Sequence, residues 1–280
     1  MILITTAGKV GGEAARVLAE RGQRVRVLVR DQTKASTLMG IGVEMAVGDL
    51  DAPKTIDAAM RRVTTVILVS PAIPGQELNA VRSVMAAGVQ HVVKITSKAS
   101  ADSPIARRRD QTAIENGLTS SGLGYTLLRN NAYMQNFLML AGSIAATDSF
   151  GSSAANGRIG MIDTRDVAAV AATIAASPAA HTKKTYWLTG PEVLTYADAA
   201  MVLSRVLQRH IAFHPLTFEQ QKQAMIDVGL PAQIAHMNAE AVALFAAGDS
   251  DWLTNDVPKI LGEPARTFEQ FIIDYASAFS

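Results

Sequence analysis

Residues 1–12 read MILITTAGKVGG: a short apolar run, then a glycine turn, then the beginning of a helical pattern. A dinucleotide-binding fold carries its phosphate-binding turn at this place, after the first strand and before the first helix. The spacing Gly8-x-x-Gly11 lacks the first glycine of the full pattern G-x-G-x-x-G, because a threonine stands there. By its position the stretch predicts a dinucleotide-binding turn, and an ordinary strand-to-helix turn is the alternative.

From this stretch to about residue 130, short apolar runs alternate with helical patterns. Strands are predicted at 1–5, 24–30, 43–47, 65–70, 91–96 and 125–129, and helices at 12–21, 52–62, 76–87 and 104–121. The run TVILVS at 65–70 is apolar almost throughout, which is typical of a strand buried on both faces. Strands that alternate with helices of this length indicate right-handed βαβ units. The predicted fold class is therefore α/β, a Rossmann-type doubly wound parallel sheet.

Beyond about residue 130 the alternation is less regular. We predict a helix at 132–146, a Gly- and Ser-rich loop at 149–157, a helix at 163–176 and a strand at 185–189, followed by mainly helical sequence. Residues 1–150 are accordingly predicted to form an NAD(P)-binding Rossmann domain. Residues 151–280 are predicted to form a smaller, mainly helical substrate-binding lobe, interleaved with the end of the sheet.

Composition excludes several classes of protein. The chain has 280 residues, of which 49% are hydrophobic, so a sizeable core is expected. Lys and Arg number 26 against 25 Asp and Glu, which disfavours a nucleic-acid-binding protein. Cysteine is absent, which excludes disulfides, thiolate metal sites and thiol nucleophiles. We expect a cytoplasmic monomer or homodimer that binds a small-molecule substrate, without a metal, nucleic acid or membrane as partner.

The end of the second predicted strand bears on the choice of cofactor. A fold that selects NAD places an acidic residue there, about 20 residues after the glycines, to bind the ribose 2′-hydroxyl. This chain has Arg30 at that place and Lys34 one turn further on. A guanidinium pairs well with a 2′-phosphate, so NADP(H) is the predicted cofactor. Asp31 follows directly, so NAD(H) remains possible, and a solvated arginine is the alternative for Arg30.

Further motifs follow along nearly the whole chain. After the opening strand and glycine turn they are Val29-Arg30-Asp31, Gly48-Asp49-Leu50, Thr96-Ser97, SGLGYTLLRN at 121–130 and DTRDVA at 163–168. In order and spacing these motifs resemble the NmrA-like atypical short-chain dehydrogenase/reductases. Within that group they are similar to NADPH-dependent quinone oxidoreductases and triphenylmethane reductases.

The resemblance implies that NADP(H) lies along the carboxyl ends of the strands, with a C-terminal lobe that closes over the substrate. It implies that the glycine turn faces the pyrophosphate, Arg30 the 2′-phosphate and Asp49 the adenine. Ser70 and Pro71 would border the ribose. The complete set of predicted cofactor-binding residues is Thr6, Gly8, Lys9, Val10, Gly11, Arg30, Lys34, Asp49, Ser70, Pro71, Thr96 and Ser97.

The resemblance also assigns residues to the substrate side. Thr96, Ser97 and Lys98 would lie beside the nicotinamide, and Asn131 and Tyr133 would line the substrate pocket. Lys98 and Tyr133 are the candidates for a catalytic residue.

Three features depart from the family pattern. The glycine turn is one residue shorter than the family's T-G-A-T-G-x-x-G. Gln111 stands where the family often has a histidine, four residues before Glu115. The Tyr-x-x-x-Lys pair of short-chain reductases is missing, since none of the five tyrosines is followed by a lysine four residues later.

The missing pair bears on the acceptor. Hydride transfer to an ordinary ketone leaves an alkoxide, which needs a positioned acid. A quinone or a conjugated cationic dye gives a product that needs little or no such help. We therefore predict an NADPH-dependent oxidoreductase that transfers hydride to a quinone-like or conjugated acceptor. The alternatives are a non-catalytic NADP(H)-binding redox sensor and a scaffold that has lost its nucleotide.

Overall fold

The computed structural model describes residues 1–31, 33, 38, 40–71 and 73–280. In chain order its strands are β1 (Ile2–Ile4), β2 (Val25–Val29), β3 (Glu44–Val47), β4 (Thr65–Leu68), β5 (His91–Ser97), β6 (Gly124–Asn130), β7 (Ser149–Ser152), β8 (Lys184–Leu188) and β9 (Ala212–Pro215). Its α-helices are α1 (Lys9–Glu20), α2 (Pro53–Ala59), α3 (Pro74–Ala86), α4 (Ala106–Thr119), α5 (Ala141–Thr147), α6 (Thr164–Ala176), α7 (Tyr196–Leu207), α8 (Phe218–Asp227), α9 (Ala232–Ala246), α10 (Asp256–Leu261) and α11 (Phe268–Asp274). Short 3-10 helices lie at Met134–Met139, Pro178–His181 and Ala276–Ala278.

Seven of the strands form one sheet in the order β3-β2-β1-β4-β5-β6-β8. Each neighbouring pair from β3 to β6 is parallel. The strand order reverses between β1 and β4, and open α/β sheets bind ligands outside the carboxyl ends of the strands at such a reversal. The predicted Rossmann-type α/β fold is confirmed.

The chain divides into two compact units. Unit 1 comprises Met1–Asn130, Thr164–Trp187 and Ile260–Gly262, and unit 2 comprises Asn131–Asp163, Leu188–Lys259 and Glu263–Ser280. The chain passes from one unit to the other several times, so neither unit is one continuous stretch. The predicted functional division at residue 150 stays a prediction.

Helices cover both faces of the sheet in unit 1. Helices α1 and α6 pack together on one face, and α2, α3 and α4 follow one another on the other. Every residue of β1, β2 and β4 is buried, as expected for parallel strands with helices on both sides. The core beneath α2, α3 and α4 includes Leu3, Val66, Ile56, Val81 and Leu118.

Unit 2 has its own core, in which aromatic rings predominate. The ring of Phe137 stacks on Tyr196 with centroids 5.2 Å apart, and it meets Phe268 edge-on at 4.8 Å. Phe150 contacts Phe137 edge-on at 5.7 Å. Burial among these rings raises the pKa of the Tyr196 hydroxyl to about 12.

The predicted loop at 149–157 is wrong in its first part. Residues Ser149–Ser152 form β7, which pairs in parallel with β9. Phe150 is only 2% exposed, and the aromatic core of unit 2 holds its ring. A four-residue strand rich in Gly and Ser carries almost no local signal, so this pairing depends on tertiary contacts. Similarly, the predicted helix at 132–146 is divided into the 3-10 helix Met134–Met139 and α5.

Neither a membrane span nor a metal cluster is found in the part of the chain that the structure describes. No helix there is both long enough and apolar enough to cross a bilayer. No group of three or more His, Cys, Asp or Glu side chains there is arranged to hold a metal ion.

His91, at the start of β5, lies in a buried hydrogen-bonded chain. Its Nε2 is 2.9 Å from Thr126 Oγ1, and the Thr126 hydroxyl donates to the carbonyl oxygen of His181 at 2.8 Å. Because the one hydroxyl proton of Thr126 goes to that carbonyl, His91 must donate from Nε2, which fixes the tautomer. Burial, reinforced by the nearby His181, lowers the pKa of His91 to about 4.

We expect His91 to make folding sensitive to acid. Below its ordinary pKa of 6.5 the unfolded chain takes up a proton that the folded chain accepts only near pH 4. The free energy of unfolding should therefore fall by about 2 kcal/mol through this group between pH 7 and pH 4.5. Urea unfolding at several pH values, compared between the wild type and His91→Gln, measures the effect. Glutamine can still donate to Thr126 but does not titrate.

The matched control for this experiment is His210→Gln, because His210 is an exposed histidine between α7 and β9. Its pH dependence should equal that of the wild type. Equal pH slopes for His91→Gln and the wild type would contradict the assignment.

Candidate functional site

The turn between β1 and α1 is fixed to the end of β4. Thr5 donates from its hydroxyl to the carbonyl oxygen of Val69 at 2.7 Å and accepts from the Val69 N–H at 2.9 Å. The Thr5 N–H also donates to the carbonyl oxygen of Ile67 at 3.1 Å. These bonds set the turn at the point where the strand order reverses.

Gly11 is a glycine because of the protein's own packing. A Cβ added to it would lie 2.0 Å from the carbonyl oxygen of Thr6 and 3.2 Å from the side chain of Ile4. Real side chains do not tolerate the first of these contacts. Helix α1 can therefore approach the turn this closely only if residue 11 is glycine.

Gly8 is a glycine for a different reason. Its φ of −69° suits any residue, and the nearest atom to an added Cβ would be Thr6 Oγ1, at 3.9 Å. Nothing in the fold therefore requires glycine here. Without a side chain, the backbone at Gly8 leaves room for a ligand to approach, which is what a pyrophosphate needs.

The N-terminus of α1 faces this space. The first intrahelical bond runs from the Gly12 N–H to the carbonyl oxygen of Gly8, at 2.7 Å. The N–H groups of residues 9–11 precede this bond and are the donors that a helix start offers to an anion. Val10 is buried, so only its backbone can serve the predicted site. Lys9 is exposed and adds a positive charge.

A cavity of about 360 Å³ opens beside the turn. Its lining residues are Ala7, Gly8, Lys9, Gly12, Glu13, Arg16 and Leu38. Arg16 binds both carboxylate oxygens of Glu13 and also pairs with Glu20, so its charge is balanced within α1. Of the two basic side chains in this lining, that of Lys9 lies nearer to the glycine turn along the sequence. The volume lies within the range that small-ligand sites occupy.

The residues after β2 agree with a site for a 2′-phosphate. Arg30 follows the last strand residue and is exposed. The carboxylate of Asp31 accepts from the N–H and the hydroxyl of Thr33, at 3.0 and 2.7 Å. Lys34 lies outside the described residues. The exposed guanidinium of Arg30 is accessible to a ligand, and its contact with a 2′-phosphate stays a prediction.

Asp49, predicted to lie near the adenine, is held at the end of β3. Its N–H donates to Thr55 Oγ1 at 2.9 Å, and its Oδ1 accepts from the Asp51 N–H at 3.0 Å. Gly48, just before it, is bound to the carbonyl oxygen of Val29 at 2.9 Å. Asp49 is half-buried, and these bonds keep it at the carboxyl edge beside β2.

Ser70, predicted to border the ribose, follows β4, and its hydroxyl group is hydrogen-bonded to a buried side chain. Its hydroxyl donates to Glu77 Oε1 at 2.6 Å. Glu77 in turn pairs with Lys94, and both side chains are fully buried. Pro71 is exposed at the same edge.

Thr96, predicted to lie on the nicotinamide side, is also hydrogen-bonded to buried side chains. Its hydroxyl oxygen lies 2.8 Å from Gln111 Oε1 and 3.0 Å from Glu115 Oε1. Asn130 donates from its side chain to the carbonyl oxygen of Thr96 at 2.9 Å. Ser97 ends β5, and both it and Lys98 are half-buried.

Glu115 forms an ion pair with Arg129 of β6. Arg129 binds both of its carboxylate oxygens, one of them from Nε at 3.2 Å. The guanidinium of Arg129 lies 5.0 Å from the ring centroid of Trp187, within cation–π range. Gln111 and Glu115 are 3% and 5% exposed, so both serve to position Thr96. Gln111 is an amide and cannot act as an acid there.

The two residues predicted for the substrate pocket belong to unit 2. Asn131 donates from Nδ2 to the carbonyl oxygen of Ser250 at 3.0 Å, and its Oδ1 accepts from the Ala132 N–H at 2.8 Å. Tyr133 is half-buried and bridges to Ile162. Their predicted contact with substrate stays a prediction, as does the catalytic role of Tyr133 or Lys98.

Three buried residues that support the carboxyl edge of the sheet were not predicted from the sequence: Glu77, Lys94 and Glu115. The available signal was the lysine within the apolar run HVVKITS at 91–97, since a buried cation in a strand needs a carboxylate partner. The partner itself lies 17 residues earlier, on a helix. Nothing local links the two residues.

The chain is similar to known proteins over nearly its whole length. Residues 1–272 match the NmrA-like family. The NAD(P)H azoreductase of Xenophilus azovorans is 35% identical over 286 residues, which cover 100% of this chain and 99% of that protein. The (4-alkanoyl-5-oxo-2,5-dihydrofuran-3-yl)methyl phosphate reductase of Streptomyces griseus subsp. griseus is 32% identical over 287 residues, which cover 100% and 99%.

A solved structure is similar over the same length. The NADPH-dependent quinone oxidoreductase of Escherichia coli, in complex with NADPH, has a TM-score of 0.89 at 26% identity. The similarity covers 99% of this chain and 100% of the other. The resemblance predicted from the motifs is thereby confirmed: the chain belongs to the NmrA-like family.

Proposed function

We propose that this chain is an NADPH-dependent oxidoreductase that reduces quinone-like or azo-type conjugated acceptors. The observation that carries the proposal is the room left at Gly8, beside the start of α1 and at the reversal of strand order. The relatives agree, since one is named as an NAD(P)H azoreductase and another was solved with NADPH bound. The predicted oxidoreductase class and NADP(H) cofactor are thus confirmed.

The residues present fit such a cofactor. When bound, NADPH supplies the hydride. The N–H groups at the start of α1 and the ammonium of Lys9 would face its pyrophosphate, and Arg30 its 2′-phosphate. Ser70 and Thr96 lie at the ends of β4 and β5, where they would hold the ribose and the nicotinamide. The chain's own contribution is to bind and orient.

The acceptor class is inferred from the missing proton-donating pair of short-chain reductases. The sequence has no Tyr-x-x-x-Lys pair, and Gln111 is a buried amide that contacts Thr96. A conjugated acceptor spreads the added electron pair over several atoms, so its reduction needs little proton transfer in the rate-determining step. The relatives named for an azo or a quinone acceptor support this class.

The experiment is a turnover assay with purified protein, NADPH and four acceptors: a benzoquinone, a naphthoquinone, an azo dye and a simple ketone. We expect NADPH oxidation with at least one conjugated acceptor and none with the ketone. NADPH binding without oxidation of any acceptor would contradict the enzyme and support the redox-sensor alternative.

A glycine comparison tests the phosphate-binding turn. We expect Gly8→Val to lose only about 1 kcal/mol of stability, the usual scale of an N-cap change, but to weaken NADPH binding at least about tenfold. Gly11→Ala should instead destabilise the fold by more than about 3 kcal/mol, because its Cβ meets backbone. Urea unfolding and NADPH titration measure both.

The control for the glycine comparison is Gly142→Val in α5, where an added Cβ meets nothing within 4 Å. It should leave NADPH affinity unchanged. Unaltered NADPH affinity in Gly8→Val would show that the cofactor does not approach this turn.

An arginine comparison tests cofactor selection. Arg30→Ala should weaken NADPH binding roughly tenfold to hundredfold, the scale of a lost charge-assisted contact, and leave NADH binding unchanged. Arg24→Ala makes the same charge change at the amino end of β2, where the residue is also exposed, and should alter neither affinity. Equal losses for NADPH and NADH in Arg30→Ala would contradict a 2′-phosphate contact.

A further inference from the structure

A fully buried ion pair lies beneath the carboxyl edge of the sheet. Lys94, in the middle of β5, places its Nζ 2.7 Å from Glu77 Oε2 and 2.9 Å from Glu77 Oε1. Both side chains are 0% exposed. The Lys94 ammonium also donates to the carbonyl oxygen of Ile95 at 2.5 Å.

Such a pair is a poor way to stabilise a core. Removing both charges from water costs free energy that their attraction repays only in part, and apolar residues of similar size often do as well or better. Burial accordingly lowers the pKa of Lys94, while the adjoining Glu77 opposes that change. The buried pair is therefore weak evidence of added stability, and its contacts suggest a different role.

The pair is connected to the edge through Ser70. The Ser70 hydroxyl donates to Glu77 Oε1 at 2.6 Å, the short distance typical of a hydroxyl bound to a carboxylate. Ser70 follows Val69, to which Thr5 of the glycine turn is bound twice. Glu77 thus holds the residue next to the segment that fixes the phosphate-binding turn.

Glu77 also determines what Ser70 can do. A serine hydroxyl has one proton, and here that proton goes to the carboxylate. Any further hydrogen bond of Ser70 Oγ must therefore be one that it accepts. The hydroxyl groups of a ribose are donors that match such an oxygen.

We propose that Glu77 and Lys94 are positioning residues for the cofactor, which keep the Ser70 hydroxyl turned inward so that its oxygen accepts from a ribose hydroxyl. The inference rests on the proposed function, because it takes NADPH as the ligand. Lys94 pairs with the Glu77 carboxylate, and that carboxylate accepts from the Ser70 hydroxyl. Neither Lys94 nor Glu77 touches the reacting atoms.

The test removes the pair without leaving a lone buried charge. The variants are Ser70→Ala, the double variant Glu77→Leu/Lys94→Met, and the triple variant that combines them. NADPH affinity is measured by equilibrium titration and stability by urea unfolding. We expect Ser70→Ala and the double variant each to weaken NADPH binding about fivefold, the value of one modest hydrogen bond. The triple variant should be no weaker than either, because the pair acts through Ser70.

Steady-state kinetics supply a second readout. In the double variant the KM for NADPH should rise about fivefold, while the KM for the quinone stays unchanged. The double variant should unfold at the same or a higher urea concentration than the wild type. The matched control is Arg26→Met/Glu44→Leu, which removes a 2.7 Å ion pair near the amino ends of β2 and β3. It should leave NADPH affinity unchanged.

The outcomes separate this inference from the proposed function. If the wild type binds NADPH and the folded double variant binds it with the same affinity, the inference is overturned and the proposed function is not. A triple variant weakened by the product of the two separate effects would also overturn it, since the pair would then act independently of Ser70. A wild-type chain that binds no NADPH would overturn both.

Discussion

The close approach of α1 to the first strand is the constraint on which the site depends. The helix can begin where it does only because residue 11 has no side chain, since a Cβ there would lie 2.0 Å from the carbonyl oxygen of Thr6. This approach brings the start of α1, with its unpaired N–H donors and positive dipole end, to the reversal of strand order. Thr5 then fastens the turn to β4. The geometry of the proposed phosphate-binding turn is thus a consequence of backbone packing, although the turn is one residue shorter than the family pattern.

A layer of buried polar side chains supports the carboxyl edge next to this turn, at β4 and β5. Glu77 and Lys94 hold Ser70 after β4, and Glu115 lies against Thr96 near the end of β5. In each case a buried ionisable side chain is hydrogen-bonded to a hydroxyl group near the carboxyl end of a strand. Preorganised hydroxyls bind a ligand with less loss of side-chain entropy than mobile ones. The proposed role of these buried groups is to make the cofactor site rigid rather than to add stability.

The chemistry available to the chain follows from what this layer contains. It offers hydroxyl groups, a buried amide at Gln111 and carboxylates already engaged with cations. Such a site suits orientation of a cofactor and an acceptor better than delivery of a proton. An electron-poor conjugated acceptor makes the smallest demand for a proton, so the acceptor class and the composition of the layer agree.

The amino-acid sequence by itself determined the fold class. It also predicted which residues lie at the carboxyl edge of the sheet. Alternating buried strands and amphipathic helices, the glycine turn and Arg30 are all local patterns, and each has its meaning within a few residues. The sequence also lacks the Tyr-x-x-x-Lys pair, and the acceptor class is inferred from that. Local patterns are less informative beyond residue 130, where the Gly- and Ser-rich sequence of β7 predicts a loop.

Only the tertiary structure decided which glycine serves the fold and which leaves room for a ligand, because that depends on atoms brought together from separate segments. It likewise decided that Glu77 meets Lys94 and that Phe150 of β7 enters an aromatic core. The physical reason is the same in each case. Burial and pairing are set by contacts between residues distant along the chain, and neither periodicity nor intrinsic propensity records such contacts.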